Sequence, residues 1–351
     1  MTIEQHAEAA ADDELPKKAI KPEEKKPAGE SHPQGLEQEV RELRQEIDKI
    51  RSENEARKRL EVPEEEKSKS VEDILSAAGR QYSLLKKGMV SLSYSFNYSY
   101  FSGDVFDAST HVERRSNHNL TNTITAEYAL LNNVTVSTNI PFCYKYNEVQ
   151  TQRAQDATDF GDISLGVTFE PFKSGRNIPT TIFNVSASFP TGSSPYKVNL
   201  NNSLPTGSGT YSLSGGVSLS KVLDPLVAYG SLSYSYGLSE GNLNQYWEKT
   251  ARLTRVDPGS NIGLALGFGY ALSYQASLNM SAQFTYSFNS KYTINETATA
   301  ESGTSLSSMF NIGTGWRITP ARSLYVSLSL GLTNNDPDVG LTFKLPYEFS
   351  L

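Results

Sequence analysis

The sequence predicts an all-β transmembrane protein: an antiparallel outer-membrane barrel of about twelve strands, preceded by a helical plug and an N-terminal coiled coil. Three observations carry this. From Met89 to the last residue, large apolar and small polar residues alternate in segment after segment. Alternate side chains of a strand point to opposite faces, so each segment has one oily and one polar face. The connections also alternate in length, tight at one end and long at the other, as in outer-membrane barrels. Finally, no run of about 18 apolar residues exists, so the chain crosses no membrane as a helix.

The strands are read from their apolar sets. Val90 to Tyr100, Leu120 to Leu130 and Val134 to Tyr144 come first, then Ile163 to Phe169, Phe183 to Phe189, Tyr211 to Leu219 and Leu226 to Tyr236. Ile262 to Leu272, Ala276 to Tyr286, Leu306 to Trp316, Leu324 to Leu332 and Val339 to Leu351 complete the set. Short connections are expected at 131–133, 173–178, 223–225, 273–274 and 320–322, and a brief one at 334–338. Long loops are expected at 103–117, 149–160, 190–208, 239–259 and 289–303. The opposite faces are Ser, Thr, Asn and Gly. A soluble sandwich would show the same alternation with its apolar face turned inward. Segment length and aromatic residues near the segment ends favour a bilayer span, with outer-membrane lipid as the surroundings. Tyr347, Phe349 and Leu351 keep the apolar parity to the end and resemble the C-terminal insertion signal of bacterial outer-membrane proteins.

Ahead of the barrel the chain changes character. Residues 1–34, rich in Ala, Glu, Lys and Pro, are read as a disordered arm. Residues 35–60 hold a heptad seam of Leu36, Val40, Leu43, Ile47, Ile50 and Asn54. Ile at both kinds of core position leans towards three strands, so self-association as a homotrimer is expected; the alternative is one solvated charged helix. Residues 61–69 form a linker. SVEDILSAAGRQYSLLKKG, 70–88, reads as a second helix, with Ser70 and Asp73 at its start and Gly88 as its stop. Val71, Ile74, Leu75, Ala78, Tyr82 and Leu85 share one face, with Arg80, Lys86 and Lys87 towards the C-terminal end.

The inner wall is cleared of bulk. Gly263, Ala265, Gly267 and Gly269 form one bare row, and Gly313 and Gly315 part of another. The 70–87 helix adjoins the first strand almost directly and is expected to enter and plug the barrel. Inward-facing Glu127, Glu170, Arg317, Lys344 and Glu348 are candidates to pair with its Glu72, Asp73, Arg80, Lys86 or Lys87.

Charge and rare residues bound the function. Residues 1–73 carry 14 basic and 21 acidic residues, the whole net charge of −7. The remainder is balanced, without a basic stripe, so nucleic acid is not an expected partner. One cysteine, Cys143, allows no internal disulfide. The four histidines, His6, His32, His111 and His118, fall in the arm and the first long loop and form no triad or metal-ligand spacing. No enzyme, metal or cofactor is expected. The opening MTIEQHAEAAADDE lacks an apolar core, so no signal peptide is read. A mature or trimmed form is expected, with the coiled coil in the periplasm.

The order of disordered segment, short coiled coil, SVEDIL-type helix and barrel resembles the outer-membrane secretion channel of the bacterial functional amyloid (Fap) system. DFGDISLGV, followed by SFPTGSS and LPTGSG, is similar to the wider barrel family named for the meta pathway of phenol degradation. The first resemblance implies a trimeric periplasmic coiled coil, here Leu36 to Asn54. It also implies a gating helix, here Val71 to Leu85, and export of unfolded amyloid subunits. Two other readings stay open: a passive porin or hydrophobic uptake channel, and an autotransporter-like translocator. The third expects a large passenger ahead of the helix, and the second gives the coiled coil no role. The Pro190-Thr191-Gly192 and Pro205-Thr206-Gly207 stretches lack the lysine of a phosphate loop and are expected to be turns.

Overall fold

The computed structural model describes residues 80–106, 112–149, 154–172, 178–199, 203–223, 226–246, 251–273, 275–319 and 322–350. It also describes Arg41, Leu43, Arg44, Ile47, Val71, Ile74, Leu75 and Ala78. The chain divides into two units, Met1–Val62 and Pro63–Leu351. In the first, Arg41, Leu43, Arg44 and Ile47 have helical backbone and exposed side chains. Leu36, Val40, Ile50 and Asn54, the rest of the heptad seam, lie outside the described residues.

The second unit is a closed antiparallel barrel. Its wall runs β1 (Met89–Phe106), β2 (Val112–Leu131), β3 (Val134–Val149), β4 (Gln155–Phe160) with β5 (Ile163–Phe169), and β6 (Thr180–Phe189). It continues through β7 (Ser212–Leu223), β8 (Leu226–Gly237), β11 (Asn261–Ala271), β12 (Ala276–Ser287), β15 (Ser305–Thr319), β16 (Arg322–Gly331) and β17 (Val339–Ser350). Each pairs with the next, and β17 returns to β1 with Met89 opposite Ser350. β4 and β5 share one wall position, both pairing with β3, so the barrel has twelve strands.

Side-chain exposure decides between barrel and sandwich. Leu232, Leu264, Phe268 and Val185 are about half exposed, 52%, 41%, 46% and 53%. A sandwich would bury this row between its sheets. Here it covers the outside of a closed sheet, an apolar belt far larger than a soluble surface tolerates. Closure also satisfies every wall strand's backbone, as hydrocarbon requires. The belt is therefore a lipid-facing surface, with aromatic residues towards its rims, as at Tyr128, Trp316 and Tyr347. The outward Asn122 accepts a hydrogen bond from Tyr94 Oη at 2.6 Å, which masks a carboxamide within the belt.

Three parts differ from the sequence reading. The β1–β2 hairpin continues to Phe106 opposite Val112, through most of the loop expected at 103–117. His118 accordingly sits on β2, its Nδ1 2.9 Å from Tyr98 Oη. The loop expected at 149–160 contains β4. The 239–259 and 289–303 segments build a second sheet, β9 (Gln245–Tyr246), β10 (Arg252–Asp257), β13 (Lys291–Ile294) and β14 (Ala298–Glu301). Leu243, Leu253 and Val256 form its core with Tyr196 and Tyr292. Above the membrane both faces of a strand meet water or loops, so the period-2 apolar signal fades although pairing continues.

The 70–88 segment also differs. Val71, Ile74, Leu75 and Ala78 have helical backbone, but no complete α-helix lies among the described residues. Arg80–Tyr82 is a 3-10 turn, and Ser83–Lys86 is irregular. Gly88 does not cap a helix. At φ +79° it donates its N–H to Ala129 O at 3.0 Å, steering the chain into the wall. Left-handed backbone is cheap only for glycine.

Candidate functional site

The bare face of β11 looks into the lumen, and each small residue there leaves room for a particular neighbour. A Cβ on Gly263 would meet Ser233 Oγ at 2.6 Å, and one on Gly267 would meet the Tyr229 ring at 2.6 Å. A Cβ on Gly269 would collide with the Ile74 side chain. Ala265 completes the row. On β15, a Cβ on Gly315 would meet the Tyr325 ring at 2.8 Å, and one on Gly313 would meet Ser327 Cβ at 3.1 Å.

Ile74, Leu75 and Tyr82 are buried with Val227 and Tyr229 of β8, and Val71, Ala78 and Ala271 pack around them. Tyr82 and Tyr229 place their ring centroids 4.8 Å apart at 50°, a favourable tilted geometry. Tyr82 Oη lies 3.1 Å from Ser231 Oγ. The Arg80–Tyr82 turn lies beside β6 and β7. Leu85 is buried at 3% exposure, and Lys86 and Lys87 are exposed. Lys87 N donates to Asn132 Oδ1 at 3.2 Å. The apolar stripe read from the sequence thus lies on the lumenal wall at β8 and β11. The side chains of Asp73 and Arg80 are outside the described residues.

Glu127 and Glu348 flank Ser91 in register, on either side of β1. Glu127 is buried at 7% exposure; Glu170, Arg317, Lys344 and Glu348 are partly exposed. Among the described residues, ion pairs in the extracellular loops join Lys197–Glu240, Arg252–Glu296, Arg255–Asp257 and Lys291–Glu301. Hydrogen bonding from Arg255 holds the Asp257 carboxyl below the usual carboxylate range. Neutral groups also tie the wall. Thr125 Oγ1 donates to Asn139 Oδ1 at 2.6 Å, and Asn139 Nδ2 to Ser164 Oγ at 3.1 Å. Asn97 Nδ2 donates to Thr342 Oγ1 at 2.7 Å. Such a lumen offers hydrogen bonds beside its few charged side chains.

DFGD and the two PTG stretches meet in one latch at the extracellular end. Gly161 breaks the wall strand between β4 and β5, where a Cβ would crowd Pro141 at 2.9 Å. Asp162 accepts from Gly192 N at 3.1 Å and from Ser208 N and Oγ at 2.6 Å each. Thr191 Oγ1 donates to Gly161 O at 2.8 Å, and Thr206 Oγ1 to Phe160 O at 2.8 Å. Asp159 accepts from Ser193 Oγ at 2.5 Å. A Cβ on Gly192 would lie 2.8 Å from Gly207 backbone, so the two turns touch. Sequence reading placed these stretches in turns and missed their mutual contact. The recurrence of Pro-Thr-Gly was the available signal.

A closed twelve-stranded barrel with a lipid-facing exterior and a hydroxyl- and carboxamide-lined interior defines an outer-membrane channel protein. The chain belongs to the family described as "Putative MetA-pathway of phenol degradation", whose model matches residues 119–349. Its fold is similar to that of an outer membrane channel from Pseudomonas putida F1. The TM-score is 0.57 at 15% identity, over 76% of this chain and 98% of that one. The translocator domain of the autotransporter NalP from Neisseria meningitidis aligns with a TM-score of 0.45 at 11% identity, over 81% and 97%.

Proposed function

We propose that this protein is a gated outer-membrane channel that exports unfolded amyloid subunits. In this reading the 70–87 segment is the plug, and the 36–54 coiled coil joins copies into a trimer. The observation that carries the gate is the seating of Ile74 on Gly269 with Tyr82 against Tyr229. A wall stripped of side chains at one place, and filled there by an N-terminal segment, is what a removable stopper needs. The export cargo rests on the resemblance of the SVEDIL-type segment and barrel to the Fap channel. The polar lumen supports it, because an extended peptide needs hydrogen bonds along its length.

The experiment is a planar-bilayer recording. Deleting residues 70–87, or replacing Leu75 and Leu85 with Asp, raises single-channel conductance if the segment is the plug. Unchanged current discards the gate. Loss of extracellular amyloid subunits in a strain lacking the gene supports the cargo, and continued export discards it. A second reading, uptake of small hydrophobic molecules, is favoured by the family's description. A Ser-, Thr- and Asn-lined wall suits it less well.

A further inference from the structure

A lumenal cavity of about 300 Å³ lies at the extracellular end of β1–β3. The elements that hold the plug segment, β8 and β11, are not part of it. Its wall side carries Phe101, Asn117, Asn119 and Lys145; Pro205 and Pro337 from two loops close it. Phe101 lies directly opposite Asn117 in the β1–β2 register, and Asn119 opposite Lys145 in the β2–β3 register. Lys145 Nζ donates to Pro205 O at 2.6 Å, which pins the loop over the cavity.

Asn117 and Asn119 are only partly buried, unlike the equally unbonded Asn279, which is closed off at 6% exposure. Asn97, Asn139 and Asn311 engage their carboxamides with wall neighbours. Neither Asn117 nor Asn119 hydrogen-bonds through its side chain to another described residue. Each carboxamide therefore presents a free donor and a free acceptor, the same pair that a peptide unit carries. Two residues apart on one strand, they repeat at about 6.8 Å, the spacing of alternate residues in an extended chain. Phe101 and the two proline rings offer an apolar floor that does not compete for those bonds.

We infer that this cavity is an exit subsite that holds a short stretch of unfolded polypeptide in extended form, through Asn117 and Asn119. The inference rests on the export reading above and adds a location to it. The subsite lies on β1–β3, away from the plug's seat on β8 and β11.

The test is binding of a fluorescein-labelled 20-residue peptide of alternating Asn and Ser to the full chain in lipid nanodiscs, read by anisotropy. Loss of the two hydrogen bonds predicts a roughly tenfold weaker affinity in the Asn117→Leu/Asn119→Leu double variant. Asn97→Ala, a carboxamide tied to the wall, leaves affinity unchanged. Gel migration with and without heating reports that each barrel is folded, and Asn117→Ala/Asn119→Ala serves if the Leu pair is not. Equal affinity in a folded double variant overturns the subsite. So does binding of maltohexaose in place of the peptide, which would mark a carbohydrate site. Raised conductance on plug deletion without peptide binding defeats the subsite alone and leaves the gate standing.

Discussion

Ile74 occupies the space that a side chain on Gly269 would take. One residue belongs to the N-terminal segment and the other to the eighth wall position, 195 residues later in the chain. The absence of a Cβ at 269 is what lets the segment lie against β11. Gly269→Ala is expected to push Ile74 off the wall and raise single-channel conductance without any change in the segment itself. Gly215→Ala is the control, because its Cβ would meet only Asn184 O at 3.9 Å. Equal currents from the two variants would separate the seat from the gate.

Tyr82 tests the same seat from the other side. Tyr82→Ala loses the stacking on Tyr229, of about 0.5–1.5 kcal/mol, and the contact with Ser231. Conductance should rise, and Tyr82→Phe, which keeps the ring, should restore most of the closed state.

On the outside, Tyr94 and Asn122 predict a stability effect. Tyr94→Phe strands the Asn122 carboxamide in hydrocarbon and should cost about 1–3 kcal/mol. Adding Asn122→Leu should recover it, since nothing polar then remains to satisfy. Guanidinium unfolding in lipid vesicles measures both.

The latch gives a local prediction. Asp162→Ala removes the acceptor of three donors from the 190–208 loop and its flank. Trypsin should then cut at Lys197 at least tenfold faster, while the unheated barrel keeps its gel mobility.

Asp336 gives a pH dependence. It is buried at 2% exposure and accepts from Ser308 N at 2.8 Å and Thr333 Oγ1 at 2.6 Å, as well as from Ser307 Oγ. Burial pushes its carboxyl up, but these hydrogen bonds outweigh burial and hold it below the ordinary value. Its folded-state pKa is therefore depressed. The anchoring is fully present above the unfolded pKa, about 3.9, and is lost as pH falls through the folded value. Exchange of the Ser308 amide, corrected for intrinsic rate, should stay slow through the unfolded carboxylate pKa and accelerate only as pH falls through the depressed folded value. Asp336→Asn should abolish that acceleration.

The twelve wall strands and the face each residue takes were legible because strand parity is local. Ile262, Leu264 and Leu266 declare an oily side whatever their neighbours are. The bilayer belt followed from the same rows, once closure of the sheet placed them outside. The break at Gly161 and the β4 strand were not legible, because DATDF alternates too weakly to stand out from a loop. The extracellular sheet was missed for a related reason: Leu253 and Val256 are buried by Tyr196 and Tyr292 from other loops, which no local period encodes.

The sequence by itself determined that alternating strands form and that the wall at 263–269 is bare, since both follow from side chains two residues apart; closure into a barrel was decided by the pairing of β17 with β1. Only the tertiary structure decided what lies against that bare wall and that Pro190–Gly192 meets Pro205–Gly207 through Asp162. It also decided that the 70–88 segment leaves helical geometry before Gly88. Each depends on partners far apart in the chain, as Tyr82 and Ser231 are. A contact across the lumen is selected by the shape of the closed barrel, which exists only after all twelve strands have paired.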